Sequence, residues 1–171
     1  MDALESSPCA TSRLGDQHSS GGRYFGNYCL IRPIGQGSFA TIYLAKHRYL
    51  GTTAAIKVLH RHATDVAVRR FLYEARITAR LVHPHIIRVL EYDVEQGTPF
   101  LVMDYAAYGS MYDYMRQSFP AGTPLTPRQA LRYVWPIASA LYYMHCCGFI
   151  HRDVKPANIL LGSGGQVWLS D

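Results

Sequence analysis

Cysteine is scarce in this sequence, and the spacings that signal disulfide or metal chemistry are absent. No two of the four cysteines form a C-x-x-C motif; they are Cys9, Cys29, Cys146 and Cys147. Neighbours such as Cys146 and Cys147 do not readily pair with each other, so the pattern favours reduced thiols in a cytosolic compartment. No cysteine lies near either of two histidine pairs, His60/His62 and His83/His85, and no zinc site is predicted at them.

The N-terminus lacks the charged start and apolar stretch of a secretory signal, and no signal peptide is predicted. Residues 133–150 form an uncharged run of eighteen residues, but this run contains Pro136, His145 and Gly148. A buried helix is therefore predicted there rather than a membrane span. Cytoplasm is the predicted location of the chain, and a membrane anchor beyond residue 171 in a longer form stays open.

Acidic residues are the minority among the charged residues. The sequence has 12 Asp and Glu against 17 Lys and Arg, which gives a net charge of +5. This excess favours anionic partners in general, including phosphates. The basic residues are scattered rather than gathered in a run, so no nucleic-acid partner is predicted. Apolar residues make up 49% of the chain, enough for the core of one domain, or of one small domain and part of another.

The composition and apolar periodicity of the chain change twice along the sequence. Residues 1–25 are rich in small polar residues and are predicted to form a disordered leader. Alternating apolar patterns then predict five strands, within residues 28–37, 40–48, 52–60, 86–95 and 99–105. Apolar residues at three- and four-residue steps predict a helix at 64–82, with Thr64 or Asp65 as its cap.

Beyond residue 106 the pattern becomes mainly helical. Helices are predicted at 110–117 and 127–147, and two short strands around the turn 162–165. Thr126-Pro127 is a start signal for the long helix and Gly148 is a stop signal.

Three features of the first half suggest phosphate chemistry. The turn Gly35-x-Gly37-x-x-Ala40 could let backbone N–H groups approach phosphate oxygens, but alone it is weak evidence. A strand follows it and no G-x-x-x-x-G-K-[ST] is present, so the dinucleotide-binding and P-loop classes are excluded. Lys57 lies in the apolar strand AAIKVL, where an ammonium group without a partner is costly to bury. Glu74 is a candidate partner, and exposure of both side chains to solvent is the alternative.

The segment HRDVKPANILL, residues 151–161, places cations, a carboxylate and an amide close together. Asp153 can orient a hydroxyl group and accept its proton, and Lys155 can neutralise charge on a phosphate. Asn158 and Asp171 offer the oxygen ligands that magnesium prefers. A buried, salt-bridged turn would explain some of these residues but not their combination.

Lys57 in AAIKVL, Glu74, and HRDVKPANILL followed by LSD together resemble the eukaryotic-type protein kinase family, over residues 28–171. The resemblance implies an α+β, protein-kinase-like fold: a five-stranded antiparallel N-lobe with one helix at 26–105, then the beginning of a mostly helical C-lobe with the catalytic loop at 106–171. It also implies ATP and Mg²⁺ as cofactors and protein Ser/Thr hydroxyls as substrates. Lys155 is typical of serine/threonine kinases, and the residue pattern around these motifs is most similar to bacterial members of the family.

The same resemblance implies a role for individual residues. Asp153 is implied as the catalytic base, with Lys155 and Asn158 beside it, and Asn158 and Asp171 as the metal ligands. Lys57 is implied to bind the α- and β-phosphates and to pair with Glu74, while Asp104 to Ala106 resembles the hinge that meets adenine. The full implied nucleotide-binding set is Ile34, Gly35, Gly37, Ala40, Ile42, Ala55, Lys57, Glu74, Met103, Asp104 and Ala106.

The family pattern continues with Asp-Phe-Gly, an activation loop and Ala-Pro-Glu, and of these the chain contains only Asp171. The leading hypothesis is the N-terminal portion of a serine/threonine protein kinase, inactive as a 171-residue chain. A nucleotide-binding, pseudokinase-like interaction module is the alternative. A small-molecule kinase of the aminoglycoside or choline type is disfavoured, because those enzymes favour His-Gly-Asp where this chain has Arg152. Self-association or autophosphorylation is expected only of a longer form.

Overall fold

The computed structural model describes residues 22–118 and 125–171. These residues form two compact units. The first contains residues 22–68 and Glu91–Met103, and the second contains Arg69–Leu90 and Asp104–Asp171. The lobe boundary predicted at residue 105 stays a prediction.

An antiparallel sheet forms most of the first unit. Its strands run in the order β1-β2-β3-β4-β6-β5. Their bounds are Tyr24–Phe25 for β1, Tyr28–Gln36 for β2, Ala40–His47 for β3, Thr53–Leu59 for β4, Val89–Glu95 for β5 and Thr98–Met103 for β6. The alternating apolar patterns thus predicted the five long strands. Strand β5 begins three residues later than predicted, because Ile87 donates its backbone N–H to the carbonyl of Leu169 instead of joining the sheet.

Strand β1 was not predicted, and it makes the sheet six-stranded rather than five-stranded. The Phe25 side chain is only 3% exposed. Its ring contacts that of Phe100 edge to face, with the centroids 5.3 Å apart. Burial of this large ring favours order at residues 24–25, which were assigned to the disordered leader. Residues 1–21 of that predicted leader lie outside the described residues.

The core of the first unit draws side chains from five strands of this sheet, β1 to β4 and β6. It is built from small and β-branched side chains with Phe25 and Phe100 between them. The other buried members are Tyr28, Ala45, Ala54, Ile56, Val58 and Val102.

Three helices and a small hairpin complete the chain. Helix α1 spans Asp65–Arg80, α2 spans Met111–Ser118 and α3 spans Pro127–Cys146. Strands β7 (Ile159–Leu161) and β8 (Val167–Leu169) form the two-stranded sheet that the turn at 162–165 predicted. The second unit's core joins these elements through Leu81, Ile86, Met111, Ile137, Ala140, Met144, Leu161, Val167 and Leu169.

The caps of the helices follow the sequence signals. Thr64 Oγ1 accepts the backbone N–H of Ala67 at the start of α1. At the start of α3, Thr126 and Gln129 satisfy each other's backbone N–H groups in a capping box, with Pro127 in the first turn. Helix α3 is followed by Gly148, whose φ of +81° is a conformation that glycine adopts without strain.

Helix α3 buries only part of its surface. Ile137, Ala140 and Met144 are buried, whereas four large apolar side chains are mostly exposed: Leu131, Val134, Trp135 and Tyr142. Within residues 22–118 and 125–171, no helix is both long and apolar enough to cross a membrane.

The capping box predicts that removing the Thr126 hydroxyl lowers the free energy of unfolding. Replacing Thr126 with Ala removes the acceptor for the Gln129 N–H, and we expect a loss of about 1 kcal/mol in the free energy of unfolding. Urea denaturation followed by circular dichroism measures it. The matched control is Thr126→Ser, which keeps the hydroxyl and should lose much less. Equal losses in both variants would contradict the capping role.

Candidate active site

The glycine-rich turn joins β2 to β3 at an exposed tip. The backbone N–H of Gly37 donates to the carbonyl of Ala40 at 2.9 Å, which closes the turn. Gly35 lies opposite Ile42 in the strand register. Ile34 falls at the register shift between Pro33 and Gly35, so it interrupts the regular pairing. The turn therefore presents backbone and small side chains where a phosphate chain could approach.

Strand register brings several predicted nucleotide-binding residues onto one face of the sheet. Ile42 lies opposite Lys57, and Ala55 lies opposite Met103. Side chains alternate between faces along a strand, so Ala55 and Lys57 point to the same side. Ala55 and Met103 are buried, and Lys57 is half-buried. One face thus combines a flat apolar surface, suited to a purine ring, with an ammonium group suited to phosphate.

Glu74 lies on the exposed surface of α1. Its Oε1 is 3.6 Å from Nε of Arg70, one helical turn earlier. An exposed ion pair of this kind adds little stability, generally below about 1 kcal/mol. The pairing of Glu74 with Lys57 that the resemblance implies joins the two units, and it stays a prediction.

The predicted hinge has a partner that sequence analysis missed. The Arg88 guanidinium donates through Nε and Nη2 to the two carboxylate oxygens of Asp104, at 3.2 and 3.1 Å. The backbone N–H of Asp104 also donates to the carbonyl of Arg88 at 3.1 Å. Hydrogen bonding to the Asp104 carboxylate raises the pKa of Arg88. The opposite charges of these two residues were visible in the sequence, but the pairing depends on how the adjacent strands β5 and β6 align.

Two further members of the predicted nucleotide set lie near strand or turn ends. Ala40 begins β3 and is buried. Ala106 follows Asp104 by two residues, and its carbonyl accepts the N–H of Gly109 at 3.2 Å. The segment after β6 is thereby held in a defined turn.

Asp153, Lys155 and Asn158 form a single hydrogen-bonded cluster. Lys155 Nζ lies 2.7 Å from Asp153 Oδ2. Asn158 Nδ2 donates to the same oxygen at 3.0 Å and to the Asp153 backbone carbonyl at 2.9 Å. The hydrogen bond from Lys155, followed by that from Asn158, lowers the pKa of Asp153. The three predicted catalytic residues therefore lie together, and their contacts favour the ionised carboxylate.

The backbone around Asp153 is held by a histidine that sequence analysis did not assign. His151 Nδ1 accepts the backbone N–H of Asp153 at 3.3 Å. Its other nitrogen, Nε2, is 3.2 Å from the carbonyl of Ser170, to which it donates in this tautomer. Arg152, between the two, adopts a φ of +67°, which is unusual for a residue with a side chain. The loop is thus fixed at a strained position beside an exposed carboxylate.

The cluster leaves one oxygen of Asp153 outside these bonds. Lys155 and Asn158 both contact Oδ2, and the side chain is 57% exposed. Oδ1 can therefore accept a hydrogen bond from an incoming hydroxyl group. The Lys155 ammonium lies beside it, where it can neutralise charge on a phosphate.

Asn158 and Asp171 fit the chemistry of a magnesium site. Asn158 is buried, and its amide nitrogen is committed to Asp153, so the amide oxygen remains for a cation. Ser170 donates its backbone N–H to the Asn158 carbonyl at 2.9 Å, which places Asp171 one residue along the chain from this contact. Both side chains supply the hard oxygen ligands that Mg²⁺ prefers. When bound, Mg²⁺ would neutralise charge on phosphate oxygens.

Comparison with known proteins assigns this chain to a family. A model of the protein kinase domain matches residues 28–171. The Aurora kinase of Schizosaccharomyces pombe is 33% identical over 153 residues, which cover 86% of this chain and 41% of that protein. The serine/threonine-protein kinase PrkC of Bacillus subtilis is 35% identical over 153 residues, which cover 88% of this chain and 23% of that protein.

A solved structure agrees with the sequence matches. The crystal structure of the PknI kinase domain from Mycobacterium tuberculosis has a TM-score of 0.71 and 34% sequence identity, covering 91% of this chain and 62% of that chain. The side chains described above have the chemistry of a phosphoryl-transfer site. The chain belongs to the protein kinase family, and the predicted α+β kinase fold is confirmed. It spans less than half of the length of the two curated relatives.

The contacts of Asp153 predict that its protonation midpoint changes when Lys155 is replaced. A lowered pKa means that the carboxylate and its bonds persist above the ordinary value of 3.8 and are lost only as pH falls through the lower value. Lys155→Met removes the largest cause, so the protonation midpoint of Asp153 should rise. Carboxyl-detected NMR during a pH titration measures it. Lys46→Met, a matched loss of a cation in β3, should leave that midpoint in place, and a shift there would contradict the assignment.

Proposed function

We propose that the protein containing these residues is a serine/threonine protein kinase, which transfers the γ-phosphate of ATP to Ser or Thr hydroxyls of proteins. The observation that carries this proposal is the Asp153 cluster, in which a carboxylate with one uncommitted oxygen lies against the ammonium of Lys155. The family membership and the names of the relatives support the same activity.

Each part of the chain has a defined task in this proposal. The glycine-rich turn and Lys57 hold the phosphates, while Ala55 and Met103 contact the adenine. Asp153 orients the substrate hydroxyl through Oδ1 and accepts its proton as the oxygen attacks the γ-phosphorus. The bond from the γ-phosphorus to the bridging β-phosphate oxygen breaks, and ADP leaves. Lys155 neutralises charge that develops on the transferred group. Asn158 and Asp171 would hold magnesium, which would neutralise charge on the ATP phosphates.

The first test separates the base from nucleotide binding. Asp153→Asn keeps the size of the side chain but removes its capacity to accept a proton, so the rate of phosphate transfer should fall by about 10²-fold or more. Incorporation of labelled γ-phosphate into a protein substrate measures it, with the protein purified from its own cell. The affinity for ATP should change little. The matched control, Asp93→Asn on exposed β5, should retain full activity. An active Asp153→Asn variant would refute the proposed base.

We further propose that a polypeptide limited to residues 1–171 transfers no phosphate. This proposal is supported by the exposed apolar face of α3, where Trp135 is 74% and Tyr142 is 73% exposed. Exposed rings of this size favour association between chains, because burial of apolar surface gains about 25 cal/mol per Å². The polypeptide should therefore be poorly soluble.

Sedimentation and a phosphotransfer assay test this second proposal. The 171-residue polypeptide should sediment as a mixture of large species and incorporate no label into a generic protein substrate, whereas the protein from its own cell should incorporate it. Stoichiometric labelling by the short polypeptide would contradict the proposal. ATP binding without transfer, lost in Lys57→Met, would instead favour the pseudokinase-like module.

We also propose a cytoplasmic location for this part of the protein, no nucleic-acid partner, and self-association or autophosphorylation in a longer form.

A further inference from the structure

A basic cleft lies in the first unit, and none of its lining residues belongs to the set assigned to ATP. Its volume is about 480 Å³, and its polar lining comes from Arg23, Thr41, Tyr43, His60 and Arg61. This volume lies within the range of small-ligand sites and exceeds that of a single phosphate group. The cleft can therefore hold a phosphate together with neighbouring atoms of the molecule that carries it.

The formal charges in the lining of the cleft are all positive. Two guanidinium groups and an imidazole line the cleft, and no carboxylate does. Among the residues that the structure describes, neither Arg23 nor Arg61 forms an ion pair with Asp or Glu. Guanidinium groups bind phosphate oxygens in a bidentate geometry, and such charge-assisted bonds are among the strongest in proteins.

Local contacts orient the lining. Thr41 Oγ1 lies 3.0 Å from His60 Nε2, so the hydroxyl and the imidazole fix each other's direction. The Arg23 guanidinium stacks over the Phe25 ring, 5.0 Å from its centroid, and Phe25 is itself buried. Tyr43 adds a phenol, and the buried side chains of Val58 and Leu59 close the floor of the cleft. The cleft thus exposes mainly hydrogen-bond donors above an apolar floor.

Most of the strand residues that line the cleft point away from the nucleotide face; Leu59, which pairs with Ala40, is the exception. Thr41 pairs with Val58 in the register, while the adjacent Ile42 pairs with Lys57. Because successive side chains of a strand point to opposite faces, Thr41 and Val58 point away from the side that carries Lys57. A ligand in the cleft would therefore be a second ligand, distinct from ATP.

We propose that this cleft binds a phosphate monoester carried by a polypeptide, as phosphoserine or phosphothreonine. The concave shape and the two guanidinium groups suit a phosphate carried on a side chain, whereas a membrane surface is too flat to enter. The site does not depend on the proposed kinase activity, because none of its residues belongs to the nucleotide or catalytic set.

Fluorescence anisotropy with a short labelled peptide tests the site. The probe has one phosphoserine between two leucines, and its control has serine instead. The protein is purified from its own cell and measured without added nucleotide or Mg²⁺, so that the control serine stays unphosphorylated. The phosphorylated peptide should bind at least about tenfold more tightly than the control. Arg23→Ala and Arg61→Ala should each remove most of that difference, while Arg48→Ala, an exposed arginine outside the cleft, should preserve it.

Further variants keep the result decisive. Arg23→Lys and Arg61→Lys retain the charge but lose the bidentate fork, so they should reduce the affinity partly even if the alanine variants fail to fold. Inorganic phosphate at millimolar concentration should compete with the peptide. Lys57→Met should bind the peptide normally, which separates this site from any failure of the kinase proposal.

Several results would overturn the proposal. These are equal affinity for the two peptides, displacement of the peptide by saturating ATP, an equal loss in Arg48→Ala, and no competition by inorganic phosphate. Binding to phosphatidylserine vesicles without binding to the phosphorylated peptide would assign the cleft to membranes instead.

Discussion

The hydrogen bonds of Asn158 are the interaction on which the geometry of the candidate site depends. Its side-chain amide nitrogen bridges the backbone carbonyl and the carboxylate of Asp153. Its backbone carbonyl accepts the backbone N–H of Ser170. One residue therefore connects the loop that carries the carboxylate to the end of β8. Burial protects these bonds from competition by water, and each bond restricts Asp153 to a narrow range of orientations. These bonds use Oδ2 of Asp153, and Oδ1 is left for other donors.

A second constraint is the two-residue period of the strands. In β3 and β4 it separates Ile42 and Lys57 from Thr41 and Val58, and so gives one small sheet two chemically different faces. A shift of one residue in the register would exchange the two sets of side chains. The bulges in β2 are the places where this pairing changes, and both lie before the glycine-rich turn. The turn thereby gains its exposed position without disturbing the pairing of β3 with β4.

Much of the fold could be predicted from local patterns. Helix α3 was predicted within one residue, because Thr126, Pro127 and Gly148 signal its ends by their own conformational preferences. Strand β1 was not predicted, since Tyr24 and Phe25 form a strand only through distant burial against Phe100. The site shows the same difference between near and distant residues. Asp153, Lys155 and Asn158 lie within six residues of one another, so their cluster could be predicted. The Arg88–Asp104 pair joins residues far apart in sequence and depends on the alignment of the adjacent strands.

The left-handed conformation of Arg152 has a consequence for protein engineering. A residue with a side chain loses about 1–2 kcal/mol in this conformation relative to glycine. A library selected for thermal stability alone would therefore enrich glycine or asparagine at position 152. Such a library would remove the guanidinium next to the proposed catalytic base while its members appeared improved by every measure of folding. Selection of stable variants of this chain should therefore hold position 152 fixed.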